Sequence, residues 1–416
     1  MVRNAGKLLS ANVIAQAIGL LVYPILTRMY APEDFGLLNL FMSIGGILLL
    51  LATADYQNAV VLPKENSRAR AVVHVCFGLM SALALLLLLS IPFSQPIACL
   101  FDAPDLAHWW WLMPIYVLVL AAWNVLSNYY IRFKAFGRLA GYQISQSLLN
   151  AGCKIALGGI GCLSGGMILS TVLSPLISLC VSVALAGKRL LNGLLNVDLD
   201  ACRIEAKSYR NFPCFSLPRS LVSTLGSNLP ALILTPYFGL AEMGYFGMAL
   251  TLAFRPVVMI VQSVYQVLFQ RTSQLVNAGQ RIGRQLFGYV CRAALVLMPS
   301  FIALWFVLPW LTEWLLGEEW RTCGEYIRLF LPWLLMIGVT SPLGFVSDVF
   351  GKQKIAFAIE VLYLVLRVGV LALGVALKDF RLTIILYSLV GTVIIAMQLV
   401  WYAALIRKHD RTIAAD

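Results

Sequence analysis

Apolar segments long enough to cross a bilayer follow one another along the whole chain, separated by short polar loops. The hydrocarbon core of a membrane takes about 20 apolar residues per helix, so the pattern predicts an all-α polytopic membrane protein with about twelve transmembrane helices. Little sequence remains for a soluble domain. The predicted helices cover 6–30, 35–61, 71–93, 108–131, 140–161, 164–187, 212–236, 241–268, 287–315, 326–350, 355–376 and 382–406.

The loops carry their positive charge mainly on one side of the predicted membrane. With a cytoplasmic N-terminus, most loop Lys and Arg residues fall in cytoplasmic segments, while Trp and acidic residues cluster at the outer boundaries. This asymmetry predicts that both termini are cytoplasmic. The predicted organisation is an N-terminal bundle of about six helices at 1–187, a cytoplasmic linker at 188–211, a C-terminal bundle of about six helices at 212–406 and a cytoplasmic tail at 407–416.

Composition strengthens the membrane assignment and narrows the function classes. The chain is 60% hydrophobic and only 12% charged, whereas soluble domains carry about 25% charged residues. The net charge of +12 does not indicate nucleic-acid binding, because the basic residues lie in short loops rather than on a soluble face. The nine cysteines include no CxxC pair and there are only three histidines, so no metal site and no cofactor is predicted. The N-terminus is interpreted as an uncleaved first span.

An internal repeat relates the two predicted bundles. Residues 25–36 read ILTRMYAPEDFG and residues 233–244 read ILTPYFGLAEMG, so that Gly36 aligns with Gly244. Each copy lies at the outer end of the first helix of its bundle. Because both bundles enter the membrane in the same direction, the repeat predicts parallel halves related by an axis along the membrane normal, with a site between them.

Polar residues interrupt the predicted spans in stripes on four helices. Steps of three and four residues place the members of each stripe on one helix face. Interhelical hydrogen bonds would produce such stripes, but four of them in matching halves favour a hydrated cavity. The stripes comprise Asn12, Gln16, Tyr23 and Thr27; Gln143, Gln146 or Ser147, Asn150 and Lys154; Arg219, Ser220, Ser223, Ser227 and Asn228; and Arg255, Gln262, Gln266 and Gln270.

The charges within this predicted cavity are mostly positive. Charged groups inside spans are costly and mark functional sites, and guanidinium groups suit phosphate through paired hydrogen bonds. An anionic substrate group is therefore expected. Asp55 and Glu360 are candidates for ion coupling, and Glu360 could alternatively pair with Arg367. The candidate cavity residues are Lys154, Arg219, Arg255, Gln146, Asn150, Gln262, Asn12, Gln16 and Arg28.

Several segments resemble the polysaccharide-export flippases of the Wzx type, within the superfamily that includes multidrug antiporters and the peptidoglycan lipid flippase. The resemblance covers nearly the whole chain, and the order and spacing of the motifs carry it. These motifs are LTRMYAPEDFGLLNLF at 26–41, DYQNAVVLPKENSRA at 55–69, SLPRSLVSTLGSNLPALILTPYFGLAEMGYFGMA at 216–249, QVLFQRTSQ at 266–274 and SPLGFVSDVFGKQK at 341–354.

The resemblance implies two six-helix bundles around a central cavity in the bacterial inner membrane. It implies translocation of an undecaprenyl-pyrophosphate-linked oligosaccharide, for O-antigen of lipopolysaccharide or a related surface polysaccharide, by alternating access and without enzymatic chemistry. A polysaccharide polymerase and a chain-length regulator would be the protein partners. Two positions depart from the family: Asp55 stands where an Arg is frequent, and Arg255 lies about one turn from the usual basic position.

Two other functions are also compatible with the sequence. The first is a multidrug or ion-coupled antiporter of the same superfamily, whose organic-cation exporters are expected to carry acids in the cavity rather than bases. The second is a polytopic polymerase or ligase of the sugar pathway, which should carry a large extracytoplasmic loop. The longest predicted outer loop, 93–108, is short and holds no acid–base arrangement beyond Asp102, Asp105 and His108.

Overall fold

A computed structural model describes residues 2–185 and 198–415, and the regular secondary structure of these residues is helical. The long helices, together with the linker helix α7, are α1 Val2–Leu26, α2 Pro32–Thr53, α3 Asn66–Leu89, α4 Met113–Arg132, α5 Phe136–Gly159, α6 Leu163–Ala184, α7 Leu199–Ser208, α8 Leu217–Asn277, α9 Gly283–Leu316, α10 Arg321–Thr340, α11 Gln353–Leu377 and α12 Phe380–Ala415. Short helical segments are Tyr56–Val61, Ile91–Phe93, Ser94–Leu100, Pro104–Trp109, Trp110–Leu112, Phe212–Ser216, Glu318–Trp320, Ser341–Leu343 and Val346–Val349.

Nine helical stretches of the described residues are long and apolar enough to cross a membrane, so this is a multi-pass membrane protein. One of these stretches contains the 61-residue helix α8, which is interrupted at Gly239 by a φ of 83° and a ψ of 171°. An uninterrupted helix of that length would extend about 90 Å, roughly three times the thickness of a hydrocarbon core. The count of about twelve spans and the cytoplasmic termini stay predictions.

The second helix ends earlier than its apolar pattern predicts. The prediction extended it over 35–61, but α2 ends at Thr53, and Ala54 and Asp55 adopt left-handed backbone conformations with φ of 46° and 64°. The following residues form the separate short helix Tyr56–Val61. Hydropathy does not detect this break, because apolar residues continue on both sides of it.

The tenth predicted helix, 326–350, is also divided. The helix α10 ends at Thr340, and Pro342 lies in the short turn of helix that follows. Proline lacks a backbone N–H and disfavours helix at the residue before it, which accounts for the break. The last helix, α12, continues to Ala415, through residues predicted to be a tail.

The chain divides into two compact units, Met1–Gly244 and Tyr245–Asp416. In the first unit, α7 packs on α3 through a buried carboxylate: Glu205 is 3% exposed, and its Oε1 accepts a hydrogen bond from Arg68 Nε at 2.6 Å. The Tyr56 hydroxyl donates to the Ala206 carbonyl at 2.9 Å. These contacts hold part of the predicted linker, 188–211, against the bundle; Lys188 and Arg189 lie outside the described residues.

In the second unit, a side chain of the last helix caps the start of α9. Asp410 accepts hydrogen bonds from the backbone N–H groups of Ile282 and Gly283, both at 2.9 Å, at the start of α9. Carboxylates at helix N-termini satisfy unpaired donors and interact favourably with the helix dipole. The predicted boundaries of the two bundles, 1–187 and 212–406, stay predictions.

Candidate functional site

The helices that carry two of the predicted polar stripes, α1 and α5, pack against each other in the first unit. Ser147 Oγ donates to the Ala15 carbonyl at 2.7 Å, and the Tyr30 hydroxyl donates to the Lys154 carbonyl at 2.6 Å. These two bonds join α5 to α1 and to the turn after α1. Asn12 and Gln16 lie on α1 and are half-buried, and their place in a cavity stays a prediction.

Within the α5 stripe, one member is used for packing between helices. Asn150 Nδ2 donates to the Ser170 carbonyl at 3.3 Å and to Ser174 Oγ at 3.0 Å, both on α6. Its amide group therefore makes the interhelical bonds that were the alternative explanation for the stripe. Gln146 and Lys154 lie one turn before and one turn after Asn150 and are half-buried. Their place in a cavity stays a prediction.

Asp55 is the buried acid among the candidates of the first unit, and Arg219 acts on it electrostatically. Asp55 is only 4% exposed, and its Oδ1 accepts hydrogen bonds from Asn58 Nδ2 at 2.8 Å and from Gln57 Nε2 at 3.2 Å. Arg219, at the start of α8, is exposed, and its positive charge acts on the carboxylate. Burial raises the pKa of Asp55 above the ordinary aspartate value, while Arg219 and the bond from Gln57 partly offset this rise.

The candidates of the second unit are exposed. Arg255 and Gln262 lie on the part of α8 that follows Gly239 and are separated by about two turns. Glu360 lies on α11 within electrostatic range of Tyr402 on α12. Arg28, in the first unit, is exposed in the turn between α1 and α2. In the described part of the chain, no group of His, Cys, Asp or Glu could hold a metal ion.

Two further arginines of the predicted spans have packing roles. The Arg367 guanidinium lies against the rings of Tyr363, Tyr387 and Trp333, at 4.0, 4.6 and 4.7 Å from their centroids. Such cation–π contacts stabilise a charge away from water and join α11 to α10 and α12. Arg292 Nε donates to the Gly288 carbonyl of its own helix at 2.9 Å. These contacts do not require a substrate.

The glycines that the internal repeat aligns lie against each other's helices. A methyl group on Gly36 would overlap the Leu240 carbonyl oxygen, and a methyl group on Gly244 would overlap the Pro32 carbonyl oxygen. The methyl carbon on Gly244 would also lie 3.2 Å from the Gly36 nitrogen. The beginning of α2 and the part of α8 after Gly239 therefore cross backbone to backbone. We call this contact the glycine crossing.

The sequence predicted Asp55 inside a helix, and it did not predict the glycine crossing. The repeat contained the signal for the crossing, because a glycine occurs at the same position in both copies. Small residues permit close approach of helix backbones in membranes.

Comparison with known proteins assigns the chain to a family. The family described as "Polysaccharide biosynthesis protein" matches residues 25–325, well over half of the chain. The chain belongs to the polysaccharide biosynthesis protein family. This result confirms the resemblance to polysaccharide-export flippases noted in the sequence.

A curated relative and two solved structures agree with membership of the polysaccharide biosynthesis protein family. The succinoglycan biosynthesis transport protein ExoT of Rhizobium meliloti (strain 1021) is 22% identical over 349 residues, covering 82% of this chain and 67% of the relative. The lipid II flippase MurJ in an inward closed conformation matches 100% of this chain and 91% of its own with a TM-score of 0.72 and 12% identity. An inward-facing MATE family transporter of the MOP superfamily matches 97% and 96% with a TM-score of 0.64 and 15% identity. The fold is therefore that of MATE and MurJ, and the relatives are transporters.

Proposed function

We propose that this protein translocates an undecaprenyl-pyrophosphate-linked oligosaccharide across the bacterial cytoplasmic membrane by alternating access. The observation that carries the proposal is the similarity to a polysaccharide transport protein over 82% of the chain. The fold shared with a lipid II flippase supports a lipid-linked substrate. The substrate is the repeat unit of O-antigen or a related surface polysaccharide, and no covalent chemistry is involved.

The charges on the membrane helices support an anionic head group. Arg219 and Arg255 are exposed on α8, within a stretch apolar enough to cross a membrane, and Lys154 is half-buried on α5. A charge in contact with lipid costs at least about 2.5–3.5 kcal/mol, so such groups face a hydrated cavity or a partner. A pyrophosphate group would be bound there through charge-assisted hydrogen bonds to guanidinium and ammonium groups. The sugars would contact neutral polar residues such as Gln146 and Gln262.

The proposed organisation follows from the sequence pattern. Two bundles of about six helices enclose the cavity, and the termini are on the cytoplasmic side, where the positive loop charges lie. The lipid tail stays in the bilayer while the head group crosses. The polymerase and the chain-length regulator of the same polysaccharide act on the translocated product at the outer face, and they are the proposed protein partners.

Substitution of the basic cavity residues tests the proposal. In cells that depend on this protein, Lys154→Ala and Arg255→Ala should insert normally but lose surface polysaccharide, because the head-group charge is no longer compensated. Arg255→Lys should retain part of the activity, since the charge remains while the paired hydrogen bonds are lost. Membrane abundance by immunoblot and surface polysaccharide by gel analysis are the measurements.

Arg292→Ala is the matched control, because Arg292 is also an exposed arginine on a membrane helix but bonds within its own helix. Its surface polysaccharide should remain normal. Normal polysaccharide in both the Lys154 and the Arg255 alanine variants would exclude the cationic cavity.

A multidrug or ion-coupled antiporter is the second candidate, because MATE structures share the fold. The exposed bases Arg219 and Arg255 do not suit an organic cation. Purified protein in vesicles distinguishes the two functions: transport of cationic dyes without movement of lipid-linked sugar would support the antiporter. A polymerase or ligase is disfavoured, since the relatives are transporters and the segment 93–108 forms short helices rather than a large domain.

A further inference from the structure

The last helix ends in a cluster of basic side chains to which the proposed function assigns no role. Arg407, Lys408 and Arg411 lie near the end of α12 and are exposed. Together with Ala404 and Thr412, they line a surface pocket of about 690 Å³, which we call the basic pocket. Positive residues beside a span influence its orientation, and they suit the C-terminal end of a helix dipole. Those effects account for the charge but not for the surface that adjoins it.

An apolar groove lies next to the basic pocket. It has a volume of about 210 Å³ and is lined by side chains of α9 and α12, among them Phe287, Val290, Val400 and Ala403. Both helices belong to stretches apolar enough to cross a membrane, and most of the α9 stretch is not buried. Val400 is 70% exposed, so the groove is accessible to the acyl chains of a bilayer.

The apolar groove and the basic pocket follow one face of α12. Val400 lines the groove, and Ala404 follows it by four residues in the pocket. Arg407 and Arg411 come after further steps of three and four residues, which keep side chains on the same helix face. Arg407 also reaches the groove, because its guanidinium carbon lies 5.6 Å from the centre of the Phe287 ring. Positive charge therefore borders one end of the groove.

No salt bridge within residues 2–185 and 198–415 involves the three bases of the basic pocket. Asp410 lies between Lys408 and Arg411 in the sequence, but its side chain is directed to the start of α9. There its two oxygens accept hydrogen bonds from the backbone N–H groups of Ile282 and Gly283. The positive charges of the pocket are therefore available to an external anion.

We propose that the apolar groove and the basic pocket together bind one anionic phospholipid of the membrane. An acyl chain occupies the groove, and Arg407, Lys408 and Arg411 bind the phosphate group through charge-assisted hydrogen bonds. Basic pockets at the ends of membrane helices select anionic headgroups in this way. The groove is small and admits a segment of one acyl chain, whereas the long polyprenyl chain of the proposed substrate would leave most of its length outside. The inference does not depend on the proposed function.

Lipid titrations of the purified full-length protein in detergent, followed by native mass spectrometry, test the inference. The probes are phosphatidylglycerol, which is anionic, and phosphatidylethanolamine with the same acyl chains, which is zwitterionic. The first phosphatidylglycerol molecule should bind about tenfold more tightly than the first phosphatidylethanolamine, because the bases attract the additional negative charge. This comparison needs no variant, and equal affinities for the two lipids would overturn the inference.

Two variants locate the bound lipid. Combined substitution of Arg407, Lys408 and Arg411 by alanine should abolish the preference for phosphatidylglycerol, since the groups that bind its phosphate are removed. Ala403→Trp places a large side chain in the groove and should lower the affinity for phosphatidylglycerol to that for phosphatidylethanolamine, because the acyl chain is excluded. The three basic residues are exposed, so their substitution should leave the melting temperature unchanged.

The matched control combines Arg203→Ala, Lys207→Ala and Arg210→Ala in the predicted linker. It also removes three exposed basic residues, so the net charge changes equally, and the lipid preference should remain. A preference that is lost in this control, or that persists without the three bases of α12, would contradict binding at the basic pocket. Undecaprenyl phosphate is the competing occupant: if it bound more tightly than phosphatidylglycerol and lost that advantage in Ala403→Trp, the assignment to a phospholipid would be wrong.

Discussion

The backbone at Ala54 and Asp55 shows how a single short stretch determines the local structure of a membrane helix end. Two successive left-handed residues end α2 and turn the chain so that the Asp55 side chain is buried. The amide groups of Gln57 and Asn58 then satisfy the carboxylate, which an apolar environment would otherwise leave without partners. The strain of the backbone and the burial of an acid are thus compensated within a few residues.

The pKa of Asp55 predicts how stability depends on pH. Because burial raises the folded-state pKa of this carboxyl above its unfolded value, the folded protein binds the proton more tightly than the unfolded chain. The contribution of Asp55 to the free energy of unfolding is fully present below the ordinary aspartate pKa. It is lost as the pH rises through the pKa that Asp55 has in the folded protein. Asp55→Asn lacks this loss, so it should melt at a higher temperature than the unaltered protein at neutral pH. Thermal unfolding in detergent, followed by circular dichroism over a pH series, is the measurement.

The same series on Glu65→Gln provides the comparison for Asp55→Asn. Glu65 is exposed, so its removal should leave the pH dependence of melting unchanged. If the difference in melting temperature between Asp55→Asn and the unaltered protein did not change with pH, that result would contradict the predicted raised pKa of Asp55.

The stripe on α5 illustrates what spacing can establish about individual residues. The steps between Gln146, Asn150 and Lys154 correctly place all three on one helix. Spacing does not reveal the neighbours of each side chain, and the structure joins Asn150 to Ser170 and Ser174 of α6. Partners on another helix depend on helix rotation and tilt, which hydropathy does not determine. Candidate residues are therefore predicted more reliably as a set than as individual contacts.

At the scale of helices, the glycine crossing has a direct consequence for stability. Gly36→Ala or Gly244→Ala would place a methyl group on a backbone carbonyl of the opposite helix, and neither backbone can yield without moving its helix. Each substitution should destabilise the protein by about 1–3 kcal/mol, the range for overpacked sites. The double variant should be destabilised by less than the sum, because separation of the helices relieves both overlaps. Melting temperatures of the three variants are the measurement.

Gly78→Ala is the matched control for these substitutions. Gly78 lies within α3, and a methyl group placed on it meets nothing within 4 Å. Alanine is favoured over glycine in a helix by about 1 kcal/mol, so this variant should be at least as stable as the unaltered protein. Additive losses in the double glycine variant would show that the two contacts are independent.

Most helices follow directly from hydropathy, because each apolar segment must satisfy its own backbone hydrogen bonds within lipid. Helices α3, α6 and α11 correspond to the predicted segments 71–93, 164–187 and 355–376 with shifts of a few residues. The exceptions are local: the left-handed residues after α2 and the proline after α10 lie within apolar sequence. Backbone conformation at these points depends on packing, which a hydropathy average does not contain.

For the whole molecule, the distribution of loop charge predicts its orientation in the membrane. Cys99 lies in the predicted outer loop 93–108, Cys214 lies beside the predicted cytoplasmic linker, and both are exposed. In variants that retain one cysteine each, a membrane-impermeant maleimide added to intact spheroplasts should modify Cys99. It should modify Cys214 only after permeabilisation, because the positive loops stay on the cytoplasmic side. Labelling is measured by mass shift on a gel.

Labelling of Cys214 but not Cys99 in intact spheroplasts would show that the orientation is the reverse of the predicted one. Labelling of both cysteines in intact spheroplasts would contradict the assignment of the linker to the cytoplasm. A variant without cysteines provides the background. The orientation is a prediction that depends on charge summed over the loops. The sequence could not predict which charged groups contact each other, as with Arg68 and Glu205, because that depends on the tertiary fold.

The glycine crossing also bears on how the two copies of the repeat can diverge. Duplicated segments ordinarily accumulate substitutions independently, since each copy has its own surroundings. Here the space beside Gly36 is filled by the carbonyl of Leu240, and the space beside Gly244 by the carbonyl of Pro32, so each copy forms the surroundings of the other. A larger side chain at one of these glycines would therefore first contact the helix that contains the other copy. We expect positions 36 and 244 to remain small together in descendants of this chain, and to tolerate larger side chains only when both helices move apart.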